Sequence, residues 1–382
     1  MQNSGKLRTN QIDKSSFLLA VQCYVREIFS RASFLLSFQI DRQTMAASSV
    51  SRLQLTPDLN ICRLLNGMWQ VAGGHGRIDP TTAVKEMFQY VDAGYTSWDL
   101  ADIYGPAEDI MGEFRRQLLS TRGQSALDAI QVFTKWVPQP GTMTRKIVEQ
   151  SINRSLTRLG ASSIDLLQFH WWDYNDRNYL DALRHLAELQ KEGKIKHLAL
   201  TNFDTERMRI IDDAGIRIVS NQVQFSIIDR RPEIKMIPFC LQRNMKLFTY
   251  GTVCGGFISE KYLSKSEPKR DELNTVSLKK YKNMIDQWGG WTLFQELLTV
   301  LQQIATKHGV SIANVATRYI LDKPAVGGVI IGVRLGLSEH MKDNAKVFGL
   351  NLDGDDIEKI EIVCRKSRNL FQIIGDCGDE YR

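Results

Sequence analysis

No apolar run in the chain of 382 residues approaches the roughly 20 that a membrane-spanning helix needs. The runs Ser16–Val21 and Ser33–Ile40 are too short and are separated by Arg26, Glu27 and Arg31. The six cysteines (Cys23, Cys62, Cys240, Cys254, Cys364, Cys377) form no C-x-x-C pair and no zinc-like spacing with histidine. That excludes a cysteine–histidine zinc module and argues against a disulfide scaffold, so a reducing compartment is expected. No basic run interleaved with aromatics is present, and the net charge is only +6, half of it carried by residues 1–44. Nucleic-acid binding has no electrostatic footprint here. The glycines Gly73, Gly74 and Gly76 lack the G-x-G-x-x-G spacing of a doubly wound dinucleotide fold.

What is present, from residue 51 onward, is a regular alternation of short apolar runs and helical periods. Leu53–Leu55 and Asn60–Arg63 flank the turn Thr56-Pro57-Asp58 and read as a hairpin. Strands are expected at Leu64–Gly67, Tyr95–Asp99, Ile130–Thr134, Ile164–Phe169, Ile195–Leu200, Ile218–Gln222, Lys246–Tyr250 and Gly327–Ile331. Between them come helical stretches. The first is opened by Asp79-Pro80, striped by Val84, Met87, Phe88 and Val91, and closed at Gly94. Others are expected at Glu108–Leu119, Thr144–Leu159, Tyr179–Gln190, Thr205–Ala214, Pro232–Gln242, Leu293–Lys307 and Ile312–Leu321, with a last one over roughly Ser338–Val347.

Alternation of this kind implies a parallel sheet covered by helices, and eight units without a linker favour a closed (β/α)8 barrel, an α/β fold of the TIM type, over an open sheet. The expected domain is residues 51–366. It carries an N-terminal hairpin, an exposed loop of about 40 residues after Tyr250, and a tail, residues 367–382, near the barrel mouth. Residues 1–50 form an extension. Its first 44 residues read either as an organelle transit peptide or as sequence preceding a natural start at Met45. The expected location is the cytoplasm, or the plastid stroma if those residues are a transit peptide.

In such a barrel, chemistry gathers where strands end. Strand 2 runs into Asp99-Leu-Ala-Asp-Ile-Tyr104-Gly105, strand 3 into Thr134-Lys135 and strand 4 into His170-Trp171-Trp172. Singly, each has a plain structural reading: a capping aspartate, a rim lysine, a packed tyrosine, a histidine in an aromatic cluster. At the ends of three successive strands they suit proton-coupled chemistry. A free tyrosine titrates near pH 10, an adjacent ammonium favours its phenolate, and a carboxylate holds that ammonium charged and placed. Histidine can orient a carbonyl oxygen.

Those residues bring in a resemblance. Asp99-x-Ala101-x-x-Tyr104-Gly105, Thr134-Lys135 and the His170 that follows Asp165-Leu-Leu-Gln-Phe resemble the tetrad of the aldo-keto reductase superfamily, over about residues 52–366. Asn66-Gly-Met-Trp69-Gln, His170-Trp-Trp-Asp173-Tyr and the ending Gly375-Asp-Cys-Gly-Asp-Glu-Tyr-Arg382 are similar to a plastid and cyanobacterial-type branch. That branch is often labelled NAD(P)-linked oxidoreductase or radial-spoke-protein-like. The resemblance implies a reductase of a small carbonyl substrate with Asp99, Tyr104, Lys135 and His170 as its tetrad. It also implies a nicotinamide cofactor, with Thr201, Asn202 and Gln222 on the carboxamide, Tyr250 stacked on the ring, and Gly251 and Thr252 beside the pyrophosphate. Gly332, Arg334, His340 and Asn344 fall in the adenosine segment. There Arg334 favours NADPH, with NADH the alternative, although the stretch from Gly332 to Asn344 is about two residues longer than is common.

No metal is called for. Trp69, Trp171, Trp172, Trp288 and Trp291 are expected on mouth-side loops, as walls of an aromatic pocket or as loop anchors. Two rival functions stay open at this stage: a nicotinamide-binding regulatory barrel with little activity, and a phosphate-binding barrel isomerase or lyase.

Overall fold

The computed structural model describes residues 50–379 apart from Gly74, His75 and Arg77. The expectations for residues 1–49, Cys23 included, lie outside the described residues. Strands β1 (Arg52–Thr56) and β2 (Leu59–Cys62) form the antiparallel hairpin, with Leu53 opposite Ile61. Eight strands then close into a barrel. They are β3 (Leu64–Gly67), β4 (Ser97–Asp99), β5 (Gln131–Trp136), β6 (Ile164–Phe169), β7 (Ile195–Thr201), β8 (Ser220–Gln224), β9 (Lys246–Tyr250) and β10 (Val326–Gly332). Each is parallel to its neighbours, and β10 closes on β3. The (β/α)8 barrel expected from the alternation is the fold found.

The first helices are α1 (Pro80–Asp92), α2 (Ala107–Arg122), α3 (Gln124–Asp128), α4 (Arg145–Leu159), α5 (Tyr179–Lys191), α6 (Thr205–Asp213) and α7 (Met236–Gln242). Their starts follow local chemistry. Asp79, Thr144 and Asp204 each accept a first-turn backbone N–H, which the helix itself leaves unsatisfied.

Two expectations need correction. The segment after β9 is not a 40-residue exposed loop. After three short 3-10 turns it becomes helix α8 (Val276–Trp288), whose Leu278, Tyr281, Met284, Ile285 and Trp288 are buried, followed by α9 (Gly290–His308) and α10 (Ile312–Leu321). The single helix expected over 338–347 is two four-residue turns, α11 (Met341–Asn344) and α12 (Lys346–Gly349). A further helix, α13 (Gly354–Cys364), opens on an Asp353–Asp356 capping box and packs on α9; α14 (Leu370–Ile374) lies in the tail. No described helix is long and apolar enough to cross a membrane.

The hairpin and the barrel interior share one core. Leu59 and Ile61 of the hairpin cluster with Leu65, Phe133, Leu166, Ala199 and Phe248, and the rings of Phe133 and Phe248 stack at 5.8 Å. Side chains alternate along a strand, so the next residue on the same face lies two positions on. Toward the strand ends the interior therefore passes from Phe133 to Lys135, from Leu166 to Gln168, from Ala199 to Thr201 and from Phe248 to Tyr250. The barrel is filled with apolar side chains below and polar ones above, and that switch positions the site.

Candidate active site

Asp99 and Lys135 form a buried ion pair, 2.6 Å from Nζ to Oδ2, with each side chain 4% exposed. Lys135 Nζ also donates to the Leu100 carbonyl at 2.9 Å and stands 4.9 Å from the centre of the Tyr104 ring. Burial pushes the Lys135 ammonium below its ordinary range, and Asp99 pulls in the opposite direction. The other Asp99 oxygen accepts from two amides, Gln168 Nε2 at 2.8 Å and Gln222 Nε2 at 2.7 Å; Gln222 Nε2 also donates to Gln168 Oε1. Hydrogen bonds from Lys135, Gln168 and Gln222 thus compensate the burial of this carboxylate.

Tyr104 follows on the loop that leaves β4. That loop extends the ladder with β5, because the N–H groups of Leu100 and Asp102 donate to the carbonyls of Phe133 and Lys135 at 2.8 and 2.9 Å. Asp102, on the same loop, takes the Val137 N–H at 3.2 Å. Burial pushes its carboxyl up to about 6, with Glu108 adding to the rise and the N–H groups of Val137 and Ile103, and Arg158, opposing it. The folded chain thus binds the Asp102 proton more tightly than the unfolded chain. Ionising Asp102 costs stability as pH rises from about 4 through about 6. Asp102→Asn should raise the unfolding free energy near neutral pH by about 2 kcal/mol and change it little near pH 4. Denaturant titrations at both pH values check this; an equal gain at both would contradict it.

His170, at the end of β6, is 3% exposed, and its Nδ1 lies 3.1 Å from the Thr201 carbonyl. A carbonyl only accepts, so Nδ1 carries a proton. A neutral His170 then presents a lone pair at Nε2, and only the imidazolium presents an N–H there. The Trp172 ring stands edge-on to His170 at 4.4 Å, and Trp69 edge-on to Tyr104 at 5.0 Å. The other three tryptophans are packed: Trp171 anchors the loop after β6, as one of the two readings expected, whereas Trp288 and Trp291 lie in helices and not on loops. Trp171 is fully buried, its indole N–H held by the carbonyls of Asp173 and Asp176; Trp288 closes α8 and Trp291 lies in α9 against Phe257 and Phe294.

The residues expected at the nicotinamide stand together. Thr201 ends β7, and Asn202 follows it with a left-handed backbone, φ 57°. Tyr250 Oη donates to Asn202 Oδ1 at 2.8 Å. Gln222 lies within β8 rather than at its end, and both its amide hydrogens are engaged, by Asp99 and Gln168. Only its Oε1 can serve a ligand amide, as an acceptor. Thr252 is buried and donates its hydroxyl to the Phe225 carbonyl at 3.0 Å. Gly251 has φ 71°, and a Cβ there would run into the Tyr281 hydroxyl of α8. Lys280, also from α8, places Nζ 5.2 Å from the Tyr250 ring centre.

The adenosine-side expectations fall at the end of β10 and on the segment that follows it. Gly332, Arg334 and His340 are exposed, and Arg334 pairs with Ser338 in an isolated bridge. Asn344 ends the four-residue α11, so the expected helix N-terminus for an anion is not there as a helix of useful length. Backbone N–H groups of that loop are already taken by carboxylates, Gly336 by Glu86 and Met341 by Glu339.

Sequence reasoning passed over Gln168, Asp102, Tyr281 and Lys280. A single amide inside the apolar run Ile164–Phe169 was the signal for the first. The signal for the α8 residues was the spacing of Leu278, Tyr281, Ile285 and Trp288 within the supposed loop.

The Aldo/keto reductase family model matches residues 63–365. Among curated proteins, the chain is 25% identical over 315 residues to "Aldo-keto reductase YhdN" of Bacillus subtilis, covering 78% of this chain and 88% of that protein. It is 25% identical over 257 residues to "Flagellar radial spoke protein 5" of Chlamydomonas reinhardtii, covering 58% of this chain and 49% of that protein. Among solved structures, a glycerol dehydrogenase from Gluconobacter oxydans superposes with a TM-score of 0.67 at 22% identity, covering 87% of this chain and 98% of that one, a likeness of fold.

Proposed function

We propose that this chain, which belongs to the aldo/keto reductase family, reduces an aldehyde or ketone to the alcohol, or runs the reverse, with NADPH as cofactor and Tyr104 as general acid. Membership makes the protein an oxidoreductase acting between carbonyl and alcohol groups. The observation that carries the finer reading is the Lys135–Asp99 pair, buried at 2.6 Å and set 4.9 Å from the Tyr104 ring. A buried ion pair is weak evidence of stabilisation, because desolvation offsets most of its Coulomb energy. Beside a half-buried phenol it has a chemical use.

The donor set fits a nicotinamide: Thr201, Asn202 and the Gln222 Oε1 for a carboxamide, and the half-buried Tyr250 ring for stacking. NADPH, when bound, supplies the hydride. Tyr104 gives its phenolic proton to the carbonyl oxygen, and Lys135 favours the phenolate left behind. Asp99, held by Gln168 and Gln222, keeps Lys135 in place. His170 orients the carbonyl oxygen as imidazolium, or accepts the Tyr104 hydroxyl as neutral imidazole. Trp69 and Trp172 give the mouth two aromatic edges for an apolar substrate body.

The test is NADPH oxidation by the purified protein against aldehydes, ketones and quinones. Binding of NADPH without turnover of any of them would favour the regulatory barrel instead. Cofactor choice is expected to rest on Arg334. Arg334→Ala should weaken NADPH by about 1–3 kcal/mol, the range for a lost charge-assisted contact, and leave NADH nearly unchanged. Equal losses for both, measured by titration, would remove the 2′-phosphate role from Arg334.

A further inference from the structure

The loop Thr201–Asp204 carries two of the carboxamide-binding candidates, and one of them is conformationally costly. Asn202 sits at φ 57°, in the left-handed region that asparagine enters more readily than other residues with a Cβ, and its neighbours hold it there. Three contacts from the barrel and the loop after β6 do so. The Asn202 N–H donates to the Gln222 carbonyl at 2.8 Å, and Tyr250 Oη donates to Asn202 Oδ1 at 2.8 Å. Tyr174 Oη donates to the Asn202 carbonyl at 3.2 Å and accepts the Asp204 N–H at 3.0 Å.

A fourth hold comes from the far end of the chain. The N–H of Thr205, the first residue of α6, donates to Asp376 Oδ2 at 2.9 Å. Asp204 caps the same turn through the Arg207 N–H at 2.7 Å, so the start of α6 has one carboxylate of its own and one from the tail.

Asp376 is itself fixed. Its other oxygen accepts the Cys377 N–H at 2.7 Å, and its N–H donates to Asp379 Oδ2 at 3.0 Å. Gly375, at φ 80°, makes the turn possible, since a Cβ there would collide with the Asp379 carboxylate. The Asp376 carbonyl accepts Arg231 Nη1 at 3.1 Å. Arg231 is 1% exposed and makes two 2.8 Å bonds to Asp229, which in turn accepts Gln224 Nε2 of β8 at 2.7 Å. Cys377 and Leu370 bury the tail on either side. One residue thereby ties together the ends of β7, which runs into Asn202, and β8, which carries Gln222.

We propose that Asp376 is a positioning residue for the nicotinamide end of the cofactor site, and that the C-terminal tail is a staple holding the Thr201–Thr205 loop in its binding geometry. This rests on the NADPH reading above. Asp376 acts through Thr205 and Arg231 and needs no contact with the cofactor.

The experiment compares full-length wild type, Asp376→Ala and Asp376→Asn for binding of NADPH and of 2′,5′-ADP, which reproduces only the adenosine half. Asp376→Ala should weaken NADPH about ten-fold, the scale of one lost charge-assisted hydrogen bond, and leave 2′,5′-ADP within about two-fold. Asp376→Asn keeps a carbonyl oxygen for the Thr205 N–H and should recover most of the affinity. Unchanged NADPH binding by Asp376→Ala would overturn the staple, as would an equal loss for both ligands, which marks a general loss of structure. A wild type that binds neither ligand would sink the NADPH reading and the staple with it.

Discussion

Tyr104→Phe should lower carbonyl reduction by about 10²–10⁴-fold, the usual contribution of a general acid, with NADPH affinity nearly unchanged. The substitution removes one hydroxyl and little volume. The phenyl ring keeps its edge contact with Trp69 and its place 4.9 Å from Lys135 Nζ. What disappears is the proton donor to the oxygen that gains charge as hydride arrives. In the proposed reading, cofactor affinity rests on Thr201, Asn202, Gln222 and Tyr250 rather than on the Tyr104 hydroxyl. A variant that kept most of the activity on a good substrate would remove Tyr104 from the mechanism, and steady-state kinetics beside NADPH titrations decides it.

Lys135→Met should fall as steeply in turnover, and it should also cost stability. The Asp99 carboxylate, 4% exposed, would keep its two amide donors, Gln168 and Gln222, and lose the Lys135 ammonium. Breaking a buried pair from one side costs about 3–5 kcal/mol, because the remaining charge stays desolvated. Denaturant unfolding should therefore show a clear drop for Lys135→Met, where Tyr104→Phe shows little. Pairing Lys135→Met with Asp99→Asn removes both charges and should restore part of that stability without restoring turnover. In turnover, the double variant Tyr104→Phe/Lys135→Met should lose little more than either single one, since both substitutions disable the same proton transfer. Multiplying losses would show that lysine and tyrosine act separately.

The barrel was legible because eight strand-and-helix beats follow one another with capping and stop residues between them. Asp79, Thr144 and Asp204 start helices as their side chains dictate. The candidate residues Asp99, Tyr104, Lys135 and His170 stood out because they interrupt or follow apolar runs where strands end. Other features were hidden for identifiable reasons. Strands buried on both faces read as continuous apolar runs, so Gln168 did not stand out as an inward-facing amide next to Asp99. The segment after Tyr250 opens on Gly251-Thr-Val-Cys-Gly-Gly256 and passes through the charged stretch Lys265–Glu272, which masked the stripe of α8 behind a loop-like start. Trp171, Trp288 and Trp291 look like pocket walls by residue type, but sequence position does not say which way a ring turns. The Gly332–Asn344 loop defeated the helix expectation because Gly336 and the Glu86 and Glu339 carboxylates organise it as turns.

The most direct test of the central claim follows the hydride itself. NADPH carrying deuterium at the transferring position would be incubated with the wild-type protein and each of a panel of aldehydes, ketones and quinones. An alcohol with deuterium on the former carbonyl carbon is expected for at least one of them, and loss of that product with Tyr104→Phe. Tight NADPH binding with no deuterium transfer to any carbonyl would contradict the claim.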